Sequence, residues 1–413
     1  KKDLCRICGS PIKTILDLGS TPLANSLVSS KDSCEKNYEL HLQHCNTCKN
    51  FQLSKCLDNM TLYSEYLYQT PNSVMLNEHY ENILSFFIEE KYLESESNCL
   101  EIGCNKGQLL KKISKVVRKN PVGIDPAENI LKNNLSEDVN FEIDFFNQQS
   151  AEMLVRKYGK FNFIIARHCF AHNEKPQDML KGLCMSLSED GYFIIENAYT
   201  LNTILNGEFD QIYHEHMYFY TISSLKNLLS QFNFEIINST IAPVHGGSII
   251  AVCARKNKYS ISHDHKIQEQ IENIMLTSDR IDSFVNQVNK TITNLKEIVR
   301  AIKEEGKSIY CYGATAKGNT LLNSCNITSK EVDYCIDNTD IKIGKFLPGS
   351  KIEIISETKG LDNPPDFFLL TAWNYASEII DKVRSRGNLK SKFIIPYPNP
   401  HLISKFYLSV HMS

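Results

Sequence analysis

The chain has 413 residues, of which 42% are hydrophobic and 23% charged, and its formal net charge is −3. A chain of this length is expected to form two or three domains. The slightly acidic balance excludes the basic surface that nucleic-acid binding requires, and no apolar run is long enough to span a membrane. A cysteine motif begins at Cys5, and the chain has 14 cysteines, so we expect no signal peptide and a cytoplasmic location.

The first predicted element is a metal site formed by two Cys-x-x-Cys pairs, which are Cys5 with Cys8 and Cys45 with Cys48. Each pair places two thiolates on one tight turn, and two such turns can close a tetrahedral zinc site. Because four cysteines leave no position for a catalytic water, we interpret the zinc as structural. The alternative is a nucleic-acid-binding ribbon, which the lack of a Lys/Arg cluster around the pairs disfavours. A module this small needs its metal to fold.

A tyrosine-rich stretch follows, with Tyr63, Tyr66 and Tyr68, and a helix is predicted over residues 72–90. For Tyr63 we favour packing in the seam between two modules. Tyr66 and Tyr68 have two open interpretations, seam packing or a hydroxyl placed over a ligand.

Strands and helices alternate between residues 98 and 255. Strands are predicted at 98–103, 122–124, 140–145, 161–166, 192–196, 234–239 and 248–254. Helices are predicted at 108–117, 177–187 and 223–232. Seven strands with intervening helices indicate a doubly wound α/β sheet, in which ligands bind at the carboxyl ends of the strands.

The turn after the first of these strands reads Glu-x-Gly-x-x-x-Gly, and Gly103 and Gly107 let the backbone approach a bound molecule closely. It is not the Gly-x-Gly-x-x-Gly motif of dinucleotide-binding sites, and an ordinary tight turn is the alternative. Asp125, at the end of the second strand, can hold ribose hydroxyls. Together with the seven strands, these features resemble the class I S-adenosylmethionine-dependent methyltransferases. In those enzymes the glycine turn packs against the methionine end of the cofactor, and the acid holds its ribose.

Residues 212–216 read Ile-Tyr-His-Glu-His, and we call them the IYHEH loop. Two imidazoles, a carboxylate and a phenol in five positions suit proton transfer, because histidine titrates near neutrality. The alternative is a half-buried histidine pair on a structural turn. The loop follows the fifth strand and His172 follows the fourth, so both are predicted to converge where the methyl donor lies. We assign no role to His214.

Residues 263–305 have the apolar spacing of one long connecting helix. Strands predicted at 308–312, 333–336, 367–371 and 392–395 then indicate a smaller, Rossmann-like second sheet. The turn at 313–320 offers backbone N–H groups, a helix N-terminus and Lys317, which together suit a phosphate or pyrophosphate. The alternative is a plain turn with a solvated lysine. Residues 363–366, Asn-Pro-Pro-Asp, resemble the N-P-P-aromatic motif of amino-methyltransferases, but they lack the aromatic residue and precede their strand, so we interpret them as a loop.

Nearly the whole chain is similar to the sugar C-methyltransferases, which methylate C3 or sometimes C5 of nucleotide-linked deoxysugars. The shared strings are TPLANS at 21–26, EIG at 101–103, FAH at 170–172, FDxIYHEH at 209–216, VHGGS at 244–248, YGATAKGNT at 312–320 and AWN at 372–374. The chain departs from the family pattern at Lys106, at Ile250 and at residues 69–73, which leaves the identity of the nucleotide and the sugar open.

The resemblance implies a general base, His216, with Tyr213 and His172 at the sugar, and with Glu215 orienting an imidazole or binding the sugar. The cofactor, S-adenosylmethionine with S-adenosylhomocysteine as its product, is expected to contact Glu101, Gly103, Asn105, Gly107, Asp125 and Tyr68. The substrate is expected to contact Tyr66, His245, Tyr312, Lys317, Asn319, Trp373 and Asn374. The expected reaction is methyl transfer to a carbon, C3 being favoured, of a nucleotide-linked 4-keto-6-deoxy sugar.

The predicted division is a zinc-binding module at 1–72, a methyltransferase domain at 73–260, a connecting helix at 261–304 and a nucleotide-sugar-binding α/β domain at 305–413. We expect a monomer or weak oligomer that binds neither nucleic acid nor membrane. One alternative is a methyltransferase for another small molecule, or for RNA with the zinc module as the RNA grip; the acidic balance argues against RNA. Another is a non-enzymatic nucleotide-sugar-binding protein, against which the intact turn glycines, Asp125 and His216 argue.

Overall fold

In the computed structural model, residues 3–58, 61–62, 73–134 and 136–404 are described. The predictions for Tyr63, Tyr66 and Tyr68 therefore lie outside the described residues. The described chain contains three β-sheets. No helix in this part of the chain is both long enough and apolar enough to cross a bilayer.

The N-terminal sheet has four strands in the order β1-β2-β3-β9. Three of them belong to the cysteine-rich module, β1 (Lys13–Pro22), β2 (Asn37–His44) and β3 (Phe51–Leu53), whereas β9 (Tyr218–Phe219) follows the IYHEH loop. β3 and β9 pair antiparallel. The module and the loop are therefore joined through one sheet.

The central sheet has seven strands in the order β10-β11-β8-β7-β4-β5-β6. These are β4 (Cys99–Ile102), β5 (Val122–Ile124), β6 (Asn140–Glu142), β7 (Phe161–Arg167), β8 (Leu187–Ala198), β10 (Phe234–Ala242) and β11 (Ser248–Arg255). Strands β4 to β8 are parallel, and β11 runs antiparallel between β8 and β10. The predicted seven-stranded α/β sheet is confirmed.

Helices cover both faces of the central sheet. They are Val74–Glu89, Gln108–Ile113, Glu128–Lys132, Gln148–Tyr158, Pro176–Ser186, Thr200–Asn206 and Ile222–Ser230, with 3-10 turns at Phe170–His172 and Phe209–Gln211. The helix predicted at 108–117 ends early, at Ile113. Tighter turns follow it, with the Val116 N–H donating to the Ile113 carbonyl three residues back.

The connector forms two helices, His263–Met275 and Ser278–Glu304, so the prediction of one helix is wrong. Thr277 caps the second helix by accepting a hydrogen bond from the Arg280 N–H. The apolar spacing that predicted this helix includes Ile274, which is 73% exposed and so does not pack against the rest of the protein. The first helix turns Glu272 inward instead, where its carboxylate accepts the N–H groups at the start of Ile222–Ser230.

The C-terminal sheet has six strands in the order β14-β13-β12-β15-β16-β17. They are β12 (Ile309–Tyr312), β13 (Tyr334–Asp337), β14 (Glu353–Ser356), β15 (Phe367–Leu369), β16 (Lys392–Ile395) and β17 (His401–Ile403). The surrounding helices are Ala316–Ser324, Glu357–Asp362 and Ala376–Ser385, with 3-10 turns at Asp340–Lys342 and Trp373–Tyr375. Residues 363–366 form a loop, as predicted.

The parallel strands of the two large sheets have the same topology. In the central sheet the order β6-β5-β4-β7-β8 places the third strand first, then the second, first, fourth and fifth, and β14-β13-β12-β15-β16 repeats that order. Each sheet therefore has a switch point beside its first strand, which is where such sheets bind ligands.

Candidate active site

A cavity of about 1390 Å³ lies at the carboxyl edge of the central sheet and extends to the turn after β12. The predicted residues that it brings together are His172, Tyr213, Glu215, His216, Gly103, Asn105, Asp125, His245, Tyr312, Lys317 and Asn374. Glu101, Gly107, Asn319 and Trp373 are not among its lining residues. Tyr66 and Tyr68 lie outside the described residues. The cavity also contains residues that sequence reasoning missed, among them Asp144, Asn197 and Asp337.

His216 is held in one tautomer by its neighbours. Its Nδ1 lies 2.8 Å from the Gln211 carbonyl oxygen, which can only accept, so Nδ1 carries the proton. Its Nε2 therefore carries the lone pair and accepts a hydrogen bond from the Tyr213 hydroxyl at 2.7 Å. Burial lowers the pKa of His216 well below 6.5, and nearby His172 adds to this shift. The imidazole is therefore neutral at pH 7, with its basic nitrogen against a phenol.

His172 lies beside this pair, on the 3-10 turn that follows β7. Its ring centroid is 5.0 Å from that of His216, and burial lowers its pKa to about 4. The Ala171 carbonyl accepts the Met217 N–H at 3.0 Å, which ties this turn to the IYHEH loop. Two neutral imidazoles and a phenol thus share one wall of the cavity.

The other two polar residues of the IYHEH loop contact the N-terminal module. Glu215 accepts a hydrogen bond from Asn25 Nδ2 at 2.6 Å, and His214 Nε2 lies 3.2 Å from the Tyr38 carbonyl oxygen. We expected Glu215 to orient an imidazole or to bind the sugar, but the group that orients the His216 imidazole is the Gln211 carbonyl. His214, for which the sequence indicated no role, docks the loop onto β2.

The substitution Glu215→Gln is expected to raise the apparent Tm at pH 8 and to change it little at pH 5. Burial raises the pKa of Glu215 to about 7 from its ordinary 4.5. Between these values the folded protein holds a proton that the unfolded chain has lost, so the buried carboxyl costs stability as pH rises. The cost above pH 7 is at most about 3 kcal/mol, and glutamine still accepts from Asn25.

Differential scanning fluorimetry at both pH values measures this effect, with the exposed residue Glu305 changed to glutamine as the matched control. An equal shift of the Glu215→Gln variant at pH 5 and pH 8 would contradict the assignment of a raised pKa.

The turns after β4 and β5 form a cradle of backbone and carboxylate. Gly103 has a φ of +69°, and an added Cβ would lie 2.7 Å from Cys169 Cβ, so only glycine fits this close approach. Asp125 accepts the N–H groups of Asn105 and Ala127, each at 2.9 Å. A turn whose first residue has no side chain, next to a fixed carboxylate, suits the methionyl and ribosyl ends of S-adenosylmethionine.

Two residues that were predicted to contact the cofactor lie behind these turns and do not line the cavity. The Glu101 side chain is fully buried, and its Oε1 accepts from Arg167 Nε at 3.0 Å. Arg167 itself reaches the cavity wall. Gly107 has a φ of +65°, and an added Cβ would lie 2.7 Å from the Phe141 ring. Both residues therefore fix the position of the turn.

A second cradle of the same design follows β12 and β13. Asp337 Oδ2 accepts the Ala314 N–H at 2.9 Å, and its Oδ1 accepts the Thr339 N–H at 2.9 Å. These two bonds repeat those of Asp125 in the central sheet. Asp337, Asn338 and Thr339 line the same cavity. The two sheets thus present matched carboxylate-backed turns to one space.

The predicted phosphate ligand Lys317 reaches the cavity, but its Nζ donates to the His245 carbonyl at 2.9 Å. Burial lowers its pKa, while the carboxylates of Asp210 and Glu208 act in the opposite direction. Trp373 Nε1 donates to Asp210 at 2.6 Å. Lys317 and Trp373 therefore join the C-terminal sheet to the segment before the IYHEH loop. Asn319 is 1% exposed and lies within the helix that starts at this turn.

The four predicted metal ligands converge as well. The sulfur atoms of Cys5, Cys8, Cys45 and Cys48 all lie within 4.8 Å of one another. Four thiols in this arrangement, with no other ligand type, fit the closed tetrahedral coordination of a structural zinc ion.

Arg6 connects this quartet to the active-site wall. It lies inside the first Cys-x-x-Cys turn, and its guanidinium donates to the carbonyls of Leu53 at 2.8 Å and Met217 at 3.2 Å. Met217 follows His216 directly in the chain. The metal turn therefore supports the end of the IYHEH loop.

Comparison with known families gives three matches that follow each other along the chain. Residues 5–63 match a family described as a zinc binding domain, 76–239 match a methyltransferase domain and 243–398 match a C-methyltransferase C-terminal domain. C-methyltransferase NovU from Streptomyces niveus is 30% identical over 414 residues, which cover 97% of each chain.

Similar solved structures include magnesium protoporphyrin IX methyltransferase from Synechocystis PCC 6803 with bound SAM. It is 14% identical, with a TM-score of 0.37 over 49% of this chain and 99% of that one. A SAM-dependent methyltransferase from Anabaena variabilis is 16% identical, with a TM-score of 0.34 over 49% of this chain and 100% of that one.

Proposed function

Since this chain belongs to the family of S-adenosylmethionine-dependent C-methyltransferases, we propose that it methylates C3 of a nucleotide-linked 4-keto-6-deoxy sugar. The observation that carries the proposal is the neutral His216, which lines a cavity that also contains two carboxylate-backed turns.

Methylation at carbon requires a carbon nucleophile, and a ketone next to the carbon makes its proton removable. His216 Nε2 takes the C3 proton in this proposal, and the Gln211 carbonyl stabilises the imidazolium through Nδ1–H. Negative charge then develops on the C4 oxygen. The Tyr213 hydroxyl and His172 are the nearest neighbours of the base that can donate to that oxygen.

The methyl donor has its own set of residues. S-adenosylmethionine supplies an electrophilic methyl group when it is bound, and Gly103, Asn105 and Asp125 would hold it. The zinc ion would be structural, because Cys5, Cys8, Cys45 and Cys48 fill a tetrahedral shell without an open position. The proposed chemistry therefore relies on side chains of the IYHEH loop and not on the metal.

The second cradle supports a nucleotide on the sugar. Asp337 repeats the two backbone hydrogen bonds of Asp125, and one cavity with two such sites suits two nucleosides. We assign the first to the adenosine of the methyl donor and the second to the nucleotide of the substrate. Tyr312 and Asn374 line this part of the cavity, and the Tyr312 hydroxyl donates to Glu357 at 2.8 Å.

We also propose that the domains meet at residues 72, 260 and 304. The substrate would bind between the methyltransferase domain and the C-terminal α/β domain. A cytoplasmic location also belongs to this proposal, because none of the 14 cysteines, all of which are described, forms a disulfide, and this suits a reducing compartment.

A methyl-transfer assay tests the proposal. The protein is incubated with S-adenosylmethionine and a panel of 4-keto-6-deoxy nucleotide sugars that differ in base and sugar. We expect one methyl group at C3 of at least one sugar. Without the methyl donor, in D₂O, we expect exchange of the C3 hydrogen, which reports the action of the base alone. RNA serves as the competing acceptor, and methylation of RNA without methylation of any sugar would refute the proposal.

A further inference from the structure

Asn197 ends β8 and is a buried amide without a partner. It is 3% exposed and lines the cavity, and neither its Nδ2 nor its Oδ1 has a hydrogen-bond partner among the described residues. Buried amides are paired in nearly all native structures, because an unpaired one loses its hydration without compensation. An unpaired amide on a cavity wall therefore indicates a ligand that completes its hydrogen bonds.

We propose that Asn197 binds the reacting sugar through an oxygen acceptor next to a hydroxyl donor, which is the pattern of an α-hydroxy ketone. This inference rests on the proposed function and names the residue that would recognise its substrate.

The position of β8 in the sheet favours the sugar over the methyl donor. The proposed cofactor residues Gly103, Asn105 and Asp125 follow β4 and β5, whereas β8 lies on the far side of β7 from them. Asn197 is therefore on the half of the carboxyl edge that bears His172 and not on the half with the cofactor cradle.

The side chain of Asn197 also lies on the face of the sheet that packs against the IYHEH loop. Glu196 binds His79 of the helix Val74–Glu89 at 2.6 Å, on one face of the sheet. Alternation along a strand turns Asn197 to the opposite face, together with Phe193 and Ile195. Those two residues belong to the same core cluster as Ile212, the first residue of the IYHEH loop, and Met217, which follows the loop.

A second unpaired atom lies on the same stretch of wall. Gln211 Oε1 is buried without a partner among the residues described, while its Nε2 donates to the His245 carbonyl at 2.7 Å. The Tyr199 N–H, two residues after Asn197, donates to Gly247 of that same loop at 2.9 Å. Gln211, whose main-chain carbonyl holds His216, and the end of β8 therefore contact the same loop.

The chemistry of the amide fits that ligand. Nδ2 can donate to the C4 oxygen as it gains negative charge, and Oδ1 can accept from the C3 hydroxyl. An amide does not titrate near neutrality, so it does not compete with His216 for the C3 proton. Asn197 would thus form hydrogen bonds with both the ketone and its neighbouring hydroxyl.

The substitution Asn197→Leu, of similar size without polar atoms, tests the inference. We expect kcat/KM for the nucleotide sugar to fall by about tenfold or more and C3 exchange to slow, with the Kd for S-adenosylhomocysteine unchanged. The Tm of the ligand-free protein should not fall, because an unpaired amide is removed.

Asn238→Leu is the matched control. Asn238 is a buried asparagine of the same sheet that does not line the cavity. Its Nδ2 donates to the Tyr92 hydroxyl, and its Oδ1 accepts from Ser239 and Ser262. This change should lower Tm and leave kcat/KM unaltered. The contrast separates a substrate contact from a structural role.

The outcomes are distinguishable. A wild-type enzyme that methylates no 4-keto nucleotide sugar refutes the proposed function itself. An active wild type whose Asn197→Leu variant keeps kcat/KM, or loses affinity for S-adenosylhomocysteine instead, overturns only the role of Asn197. If the leucine variant does not fold, Asn197→Ser is measured in the same way, and retained kcat/KM overturns the inference.

Discussion

Replacing His216 with asparagine is expected to lower kcat by about 10²–10⁴-fold, the usual contribution of a positioned base, with little change in the Kd of the cofactor. The substitution removes the Nε2 lone pair that lies 2.7 Å from the Tyr213 hydroxyl. It leaves the β4 and β5 turns untouched, because their contacts do not involve this side chain. Chemistry should therefore fail while cofactor binding persists.

Two measurements separate these effects. Single-turnover methyl transfer reports the chemical step, and calorimetric titration with S-adenosylhomocysteine reports the cofactor site. Exchange of the C3 hydrogen in D₂O should be lost with turnover, since both begin with the same proton transfer. A large loss of cofactor affinity would instead make His216 a cofactor-site residue.

His265 provides the matched control for this substitution. It is also a buried histidine, at 3% exposure, but its Nδ1 contacts Ser239 and it does not line the cavity. His265→Asn should leave kcat within about twofold of wild type, as expected for a residue away from the chemistry. Equal losses in both variants would indicate a general effect of removing a buried imidazole.

The central sheet could be predicted from the sequence because its strands are short apolar runs separated by helical patterns. The C-terminal sheet was predicted only in part, since β14 and β17 escaped detection. β17 is an edge strand with exposed residues, such as Leu402 at 48%, so burial imposes no apolar pattern on it. The break between the two connecting helices at Thr277 was not predicted, because the apolar spacing continues across it.

The chemistry of the site was more predictable than its connections. The sequence predicted that Tyr213 and His216 converge with His172 at the edge of the central sheet, and all three line the cavity there, but it did not predict the Tyr213–His216 hydrogen bond. The partner of Glu215, Asn25, is 190 residues away and was not predictable from spacing. Trp373 was expected at the substrate, but its indole is taken by Asp210, a contact that depends on how two sheets pack.

Asn197 is the residue of the site that sequence patterns were least able to predict. It belongs to no motif, and what distinguishes it is that its amide has no partner among the residues that the structure describes. That property exists only after the strands and loops around it are placed. Sequence patterns identify groups that do chemistry, whereas a buried unpaired group becomes visible only in three dimensions.

Removal of the metal is the second change with a large expected effect. Structural zinc binding is worth about 10–16 kcal/mol in zinc-finger peptides, and such modules unfold without it. The substitution Cys45→Ser, or strong chelation, should therefore unfold the N-terminal module. Metal content and circular dichroism measure this directly, and Cys34→Ser is the matched control, because Cys34 is exposed and outside the quartet.

Unfolding of the N-terminal module should impair the active site, although the proposed chemistry does not use the zinc. Without the module, Arg6 no longer holds Met217, β9 loses its pairing with β3, and Glu215 loses Asn25. Turnover should fall with the metal, whereas affinity for S-adenosylhomocysteine should persist, because the hydrogen bonds that hold the β4 and β5 turns come from Asp125 and not from the N-terminal module. Full activity of a metal-free protein would show that the IYHEH loop keeps its shape unaided. Loss of both turnover and affinity for S-adenosylhomocysteine would mean that the module supports the whole methyltransferase domain and not this loop alone.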